Sequence, residues 1–171
     1  MKALLVRGLL LALCIPQMGV AGESAALEAP QGAALLEIRG DITQENALEG
    51  ARFDFAMLKD LPQFGFDTST PWTSGVSYYS GPLMRDLLER VGANSEMVRV
   101  AALNGYEAEI PVSDFYEYDV ILALERNHAP MPIREYGPLW VLYPFDQDDT
   151  LLNEKMRFRA VWQVMRIDAL K

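Results

Sequence analysis

A single cysteine, a single histidine and three tryptophans limit the chemistry open to this chain. Cys14 is the only thiol and His128 the only imidazole. A histidine triad or a histidine-rich metal site needs partners that do not exist here. His128 falls in the polar turn Arg126-Asn127-His128-Ala129 and reads as an exposed loop histidine. Asp146-Gln147-Asp148-Asp149 offers oxygen ligands, but it lacks the glycine and the terminal glutamate of a calcium loop and reads as a solvated face. No glycine-rich phosphate cradle is present. Trp72 stands among small hydroxyls in Thr68-Ser69-Thr70-Pro71-Trp72-Thr73. A tryptophan in a loop either caps the core or presents a flat ring for stacking, and core capping is the commoner use. Asn104 precedes Gly105 and so belongs to a turn that brings Tyr106 to a sheet end; Arg134, in a proline-rich loop, has the ordinary use of a surface ion pair.

The leader decides which of these groups survive. Lys2 and Arg7 make a basic start, Leu9 to Ile15 is apolar, Pro16 breaks the run, and Gly19 and Ala21 give the small residues that signal peptidase requires. Residues 1–21 are therefore expected to be a cleaved secretory signal, too short in its apolar run to span a bilayer. The bulky Leu13 before Cys14 argues against lipidation. Cleavage removes Cys14, so the mature chain has no thiolate for a metal, a disulfide or nucleophilic work. It also removes two basic residues and no acid, making a chain of formal charge −9 more negative still. A chain this acidic is a poor candidate for nucleic acid or an anionic membrane surface, so neither is expected as a partner, and no direct membrane insertion is expected.

Residues 22–34, rich in Ala, Glu, Pro and Gly, read as a flexible lead-in to one domain over residues 35–171. Leu35 to Arg39 and Ala51 to Phe55 read as paired strands, and Asp54 caps a short helix that runs to Leu61. Phe64 to Thr70 reads as a strand that enters a loop over Pro71 to Gly75. Pro82 opens the clearest helix, with Leu83, Leu87, Leu88 and Val91 on its apolar face and Gly92 at its end. Val98 to Leu103 and Tyr106 to Pro111 flank the Asn104-Gly105 hairpin turn. Ser113 is expected to cap a helical turn through Tyr118; Val120 to Glu125, Leu139 to Tyr143 and Ala160 to Ile167 complete the domain. Strands dominate with a few short helices between them, so the fold class is α+β.

Five segments in order carry a resemblance: Thr68 to Thr73, Gly81-Pro82-Leu83-Met84-Arg85-Asp86-Leu87-Leu88, Ala102-Leu103-Asn104-Gly105-Tyr106, Tyr136-Gly137-Pro138-Leu139-Trp140-Val141-Leu142-Tyr143-Pro144, and Val161-Trp162-Gln163-Val164-Met165-Arg166-Ile167. Together they resemble the molybdopterin-binding domain of the sulfite oxidase type, over roughly residues 33–168. The resemblance implies mixed sheets around a pyranopterin whose molybdenum is held by a cysteine. Counting back from Gly81 puts that cysteine's place at or beside Ser69, where Thr68, Ser69 and Thr70 stand instead. The lysine that many members carry before the closing tryptophan is absent, since Val161 precedes Trp162. Both departures imply a pocket that keeps a pterin ring and loses the metal and the phosphate. On that resemblance Trp72 would stack on the ring, Asp114 and Arg134 would pair with its polar edge, and Ser69, Thr70, Thr73, Asn104 and Tyr106 would line the slot.

The function implied is a periplasmic, non-catalytic pterin-binding protein, similar to sensors that pass pterin occupancy to a membrane enzyme of cyclic di-GMP signalling. The alternative is an enzyme holding the molybdenum cofactor, a molybdenum oxidoreductase with Ser69 as oxygen ligand. A third option is a fold relic that binds no small ligand.

Overall fold

The computed structural model describes residues 26–171, so the signal-peptide reading of residues 1–21 lies outside the described residues. Among the described residues there are three sheets and four short helices, and the α+β expectation holds.

The first strand, β1 (Leu36–Gly40), runs antiparallel to β2 (Ala51–Phe53). Asp54 ends β2 and caps α1 (Phe55–Asp60), its Oδ1 accepting from Met57 N at 2.9 Å. The other oxygen, Oδ2, accepts from Gln31 N and Gly32 N at 2.9 and 2.7 Å. One buried carboxylate thus satisfies orphan donors of a helix and fastens the end of the lead-in, where no regular structure would otherwise hold it.

The long hairpin of β3 (Gln63–Thr70) and β4 (Thr73–Pro82) follows. Here the structure corrects the sequence reading twice. The expected loop over Pro71 to Gly75 shrinks to a tight turn at Pro71-Trp72, because Thr70 Oγ1 accepts from Thr73 N at 3.1 Å and pairs with Thr73 Oγ1 at 2.8 Å. Pro82 closes β4 opposite Gln63 instead of opening a helix, an end position where a missing N–H is tolerated. Leu83 is the N-cap of α2 (Met84–Arg90), which buries Met84, Leu87 and Leu88. Gly81 is required by packing: a Cβ there would lie 1.9 Å from Leu122 O.

The second hairpin pairs β5 (Met97–Ala102) with β6 (Glu107–Pro111) around Asn104-Gly105, where Gly105 takes φ +84°. After it come α3 (Ser113–Glu117), β7 (Ile121–Ala123), β8 (Glu125–Arg126) and β9 (Ala129–Pro130). Ser113 is the first residue of α3 and makes no side-chain cap; Val112 is the N-cap. A 3₁₀ turn at Ile133–Glu135 leads to β10 (Trp140–Leu142), and a second at Asp149–Leu151 leads to α4 (Glu154–Arg159). The last strand is β11 (Val164–Leu170).

The main sheet has the order β2-β1-β11-β5-β6, with β11 parallel to β1 and antiparallel to β5. A four-stranded sheet, β3-β4-β8-β9, and the pair β10-β7 complete the frame. Trp140, Tyr79, Tyr143, Phe115 and Phe145 are fully buried in the core. Among the described residues no helix is long and apolar enough to cross a membrane.

Candidate functional site

Three tips meet at one end of the domain: the Pro71-Trp72 turn, the Asn104-Gly105 turn, and α4 with the segment that follows it. Between them lies a cavity of about 410 Å³, lined by Trp72, Ala102, Asn104, Tyr106, Glu154, Arg157, Phe158, Ala160, Val161 and Trp162. The volume falls in the range of small-molecule sites.

Trp72 does both of the jobs open to a loop tryptophan. Its ring packs edge-on against Trp162 at 5.0 Å, Trp140 at 5.7 Å and Phe145 at 6.0 Å, so it caps the core. It also remains half-buried and forms part of the cavity lining. Tyr136 stacks on Trp140 at 4.9 Å, and its hydroxyl donates to Trp72 O at 2.8 Å. An aromatic shell therefore fixes the indole from behind.

The opposite side is held by the second hairpin. Asn104 Oδ1 accepts from Tyr106 N at 3.0 Å, a local bond that tightens the turn and leaves the Asn104 amide donors uncommitted among the described residues. The Tyr106 hydroxyl donates to Phe158 O at 2.8 Å and ties the hairpin to α4. Partial burial pushes the Tyr106 phenol above its ordinary pKa, so it stays protonated as a donor.

The helix α4 has its own cap, with Asn153 Oδ1 accepting from Met156 N at 3.0 Å. Its far end is anchored by Arg159, whose Nη1 donates to Asp114 Oδ2 at 2.6 Å. The same oxygen accepts from the Tyr143 hydroxyl at 2.8 Å. Burial and then the Asp114 charge drive the Tyr143 phenol far above its normal range, so this hydroxyl is a permanent donor.

The expected residues accordingly separate. Trp72, Asn104 and Tyr106 come together in the cavity. Asp114 does not: it is buried beneath α4, and its carboxylate is engaged by Tyr143 and Arg159. Arg134 does not either: its side chain is 86% exposed in a surface 3₁₀ turn, near Glu135 at 3.9 Å. Thr70 and Thr73 serve the turn itself. Ser69 points to Asp146, with Oγ donating to Oδ1 at 2.6 Å and N donating to Oδ2 at 2.5 Å.

Sequence reasoning missed Glu154, Arg157 and Phe158 because it left α4 unassigned. The signal was there: an Asn cap at 153, an acid at 154 and basic residues at 157 and 159 make a helix start and stop.

The rings of Trp72, Tyr106, Phe158 and Trp162 thus line one cavity carried on mixed sheets, a place for a flat organic group. The chain belongs to the oxidoreductase molybdopterin binding domain family, which its sequence matches over residues 49–145. Among solved structures it is similar to the sulfane dehydrogenase SoxCD from Paracoccus pantotrophus, at 17% identity and a TM-score of 0.59. The likeness covers 79% of this chain and 37% of that one, and at this identity it is a likeness of fold. Comparison with curated proteins yields no match.

The residues fit the two halves of the family's cofactor unequally. A flat ring has an aromatic, half-open slot to enter. The metal finds no thiolate among the described residues, since Cys14, the only cysteine of the sequence, lies outside them. The hydroxyls in its place are engaged, Ser69 with Asp146, Thr70 with Thr73, and Thr68 as donor to Ser69 O and acceptor from Asp146 N. An alkoxide at Ser69 would lie against a carboxylate, and like charges at that distance oppose ionisation. Among the described residues no group of three or more His, Cys, Asp or Glu could hold a metal. As a molybdenum ligand set these side chains do not fit.

Proposed function

We propose that this chain binds a pterin without molybdenum in the cavity beside Trp72 and acts as a non-catalytic periplasmic sensor. The observation that supports this reading is the contrast just described: an aromatic cavity is present, while hydroxyl side chains bound to other protein groups, Ser69 to Asp146 among them, stand at or beside the position that the resemblance gives to the metal's thiolate. The ring would lie against the Trp72 indole, with Asn104 and Tyr106 at its flank.

Signalling follows if one shape of a complex binds the pterin better than another, since a ligand shifts an equilibrium by its differential affinity. Exposed Leu103, Tyr106 and Phe158, on the hairpin and α4, give a partner apolar contacts next to the bound ligand. The partner in this reading is the periplasmic part of a membrane enzyme of cyclic di-GMP turnover, and export through the leader places the sensor beside it.

Mass spectrometry of small molecules released from the natively exported protein, with metal analysis of the same sample, tests the proposal. A pterin without molybdenum is the expected result. Stoichiometric molybdenum together with turnover of an oxyanion or a sulfoxide overturns it.

A further inference from the structure

Two charged side chains of the cavity wall stand without partners among the described residues. Glu154 and Arg157 are three residues apart on α4, which puts them on one face of the helix, and both line the cavity. A glutamate and an arginine at this spacing usually pair with each other on an exposed helix. Here neither takes part in an ion pair among the described residues, whereas Arg159 on the same helix is bound to Asp114. The wall therefore presents one carboxylate and one guanidinium to the same space, each with its hydrogen-bonding capacity unspent.

We propose that Glu154 and Arg157 read the polar edge of the ligand, and that this edge is a 2-amino-4-oxo pyrimidine ring. This rests on the pterin reading and goes further, because it names the groups that select the ring. Such a ring offers two adjacent donors, the 2-amino group and N3–H, which suit the two oxygens of a carboxylate. On the other side of N3 stands the 4-oxo acceptor, which suits a guanidinium. Glu154 takes the donor pair and Arg157 takes the oxo group, while Trp72 covers the ring face. A 2,4-dioxo ring lacks the amino donor and turns an oxygen toward Glu154, so the same wall rejects it. Guanine carries the same edge as pterin, and the test separates the two.

The experiment is tryptophan fluorescence quenching of the mature exported protein by pterin, by lumazine (its 2,4-dioxo counterpart) and by guanosine. Wild type is expected to bind pterin more tightly than lumazine by roughly tenfold or more, the size of a hydrogen bond to a charged group. Glu154→Gln should collapse that ratio toward one. Arg157→Gln should weaken both ligands alike and leave the ratio intact, because both carry the 4-oxo group. Both side chains are exposed, so the variants should fold, with circular dichroism as the check. An unchanged pterin-to-lumazine ratio in Glu154→Gln overturns the edge assignment and leaves pterin binding standing. Tighter binding of guanosine than pterin keeps the edge assignment and overturns the pterin reading. Absence of pterin binding by wild type overturns both.

Discussion

Asp114 shows how one residue shapes a site from outside it. Its carboxylate is the shared acceptor for the Tyr143 hydroxyl and the Arg159 guanidinium, and all three side chains are largely shielded from water. Replacing it with alanine strands a guanidinium and a phenol at once. Asp114→Ala is expected to lose about 3 kcal/mol of stability in urea unfolding, the cost of leaving a buried charge without its partner. Because Arg159 anchors α4, the same variant should also bind pterin more weakly, although Asp114 lies away from the cavity. The family resemblance offered Asp114 and Arg134 for the ring edge. In the structure Asp114 instead meets residues 29 and 45 positions away, separations that no local reading covers, and Arg134 stands exposed. Trp72 was legible because an indole among small hydroxyls is unusual wherever it falls. Its double use was not, since the rings behind it come from distant strands.

At the scale of elements, legibility followed local grammar. The Asn104-Gly105 hairpin, the Asp54 cap and the apolar face of α2 are all written in a few adjacent residues, and all appear where expected. Pro82 misled because a proline after a glycine suits both the start of a helix and the end of a strand; pairing with Gln63 settles it. The missed helix α4 is six residues long, too short to show an apolar stripe. Asp54 links two elements and supplies a pH signature. The backbone N–H groups of Met57, then Gly32, hold its carboxyl below the ordinary aspartate range. Its stabilisation is therefore complete above the unfolded-state value, about 3.9, and is lost as pH falls through the lower folded-state value. Melting temperatures between pH 7 and pH 3 should fall more steeply for wild type than for Asp54→Asn, which keeps a cap but cannot titrate.

For the whole molecule, ligand binding and stability are one measurement. A pterin that binds only the folded chain adds RT ln(1 + [L]/Kd), about 2.7 kcal/mol at a hundredfold excess over Kd. Thermal unfolding with and without pterin should show this as a shift of several degrees. Trp72→Ala should start from a lower melting temperature, having lost the packing against Trp162, Trp140 and Phe145, and should show little further shift on adding pterin. A ligand-induced shift equal to wild type would place the ring elsewhere.

The position of β11 within the main sheet has a consequence for when a ligand can be captured. This strand lies between β1 and β5, and it begins just after Trp162 in the cavity wall. Until it inserts, β1 and β5 have no shared neighbour, and the backbone bond from Leu103 N to Gln163 O, which sets the hairpin against the segment after α4, is not held in register. Such long-range pairing is a late event in folding. The pocket is therefore completed only after β11 has paired, so a ligand is captured by the folded chain and not by a nascent one.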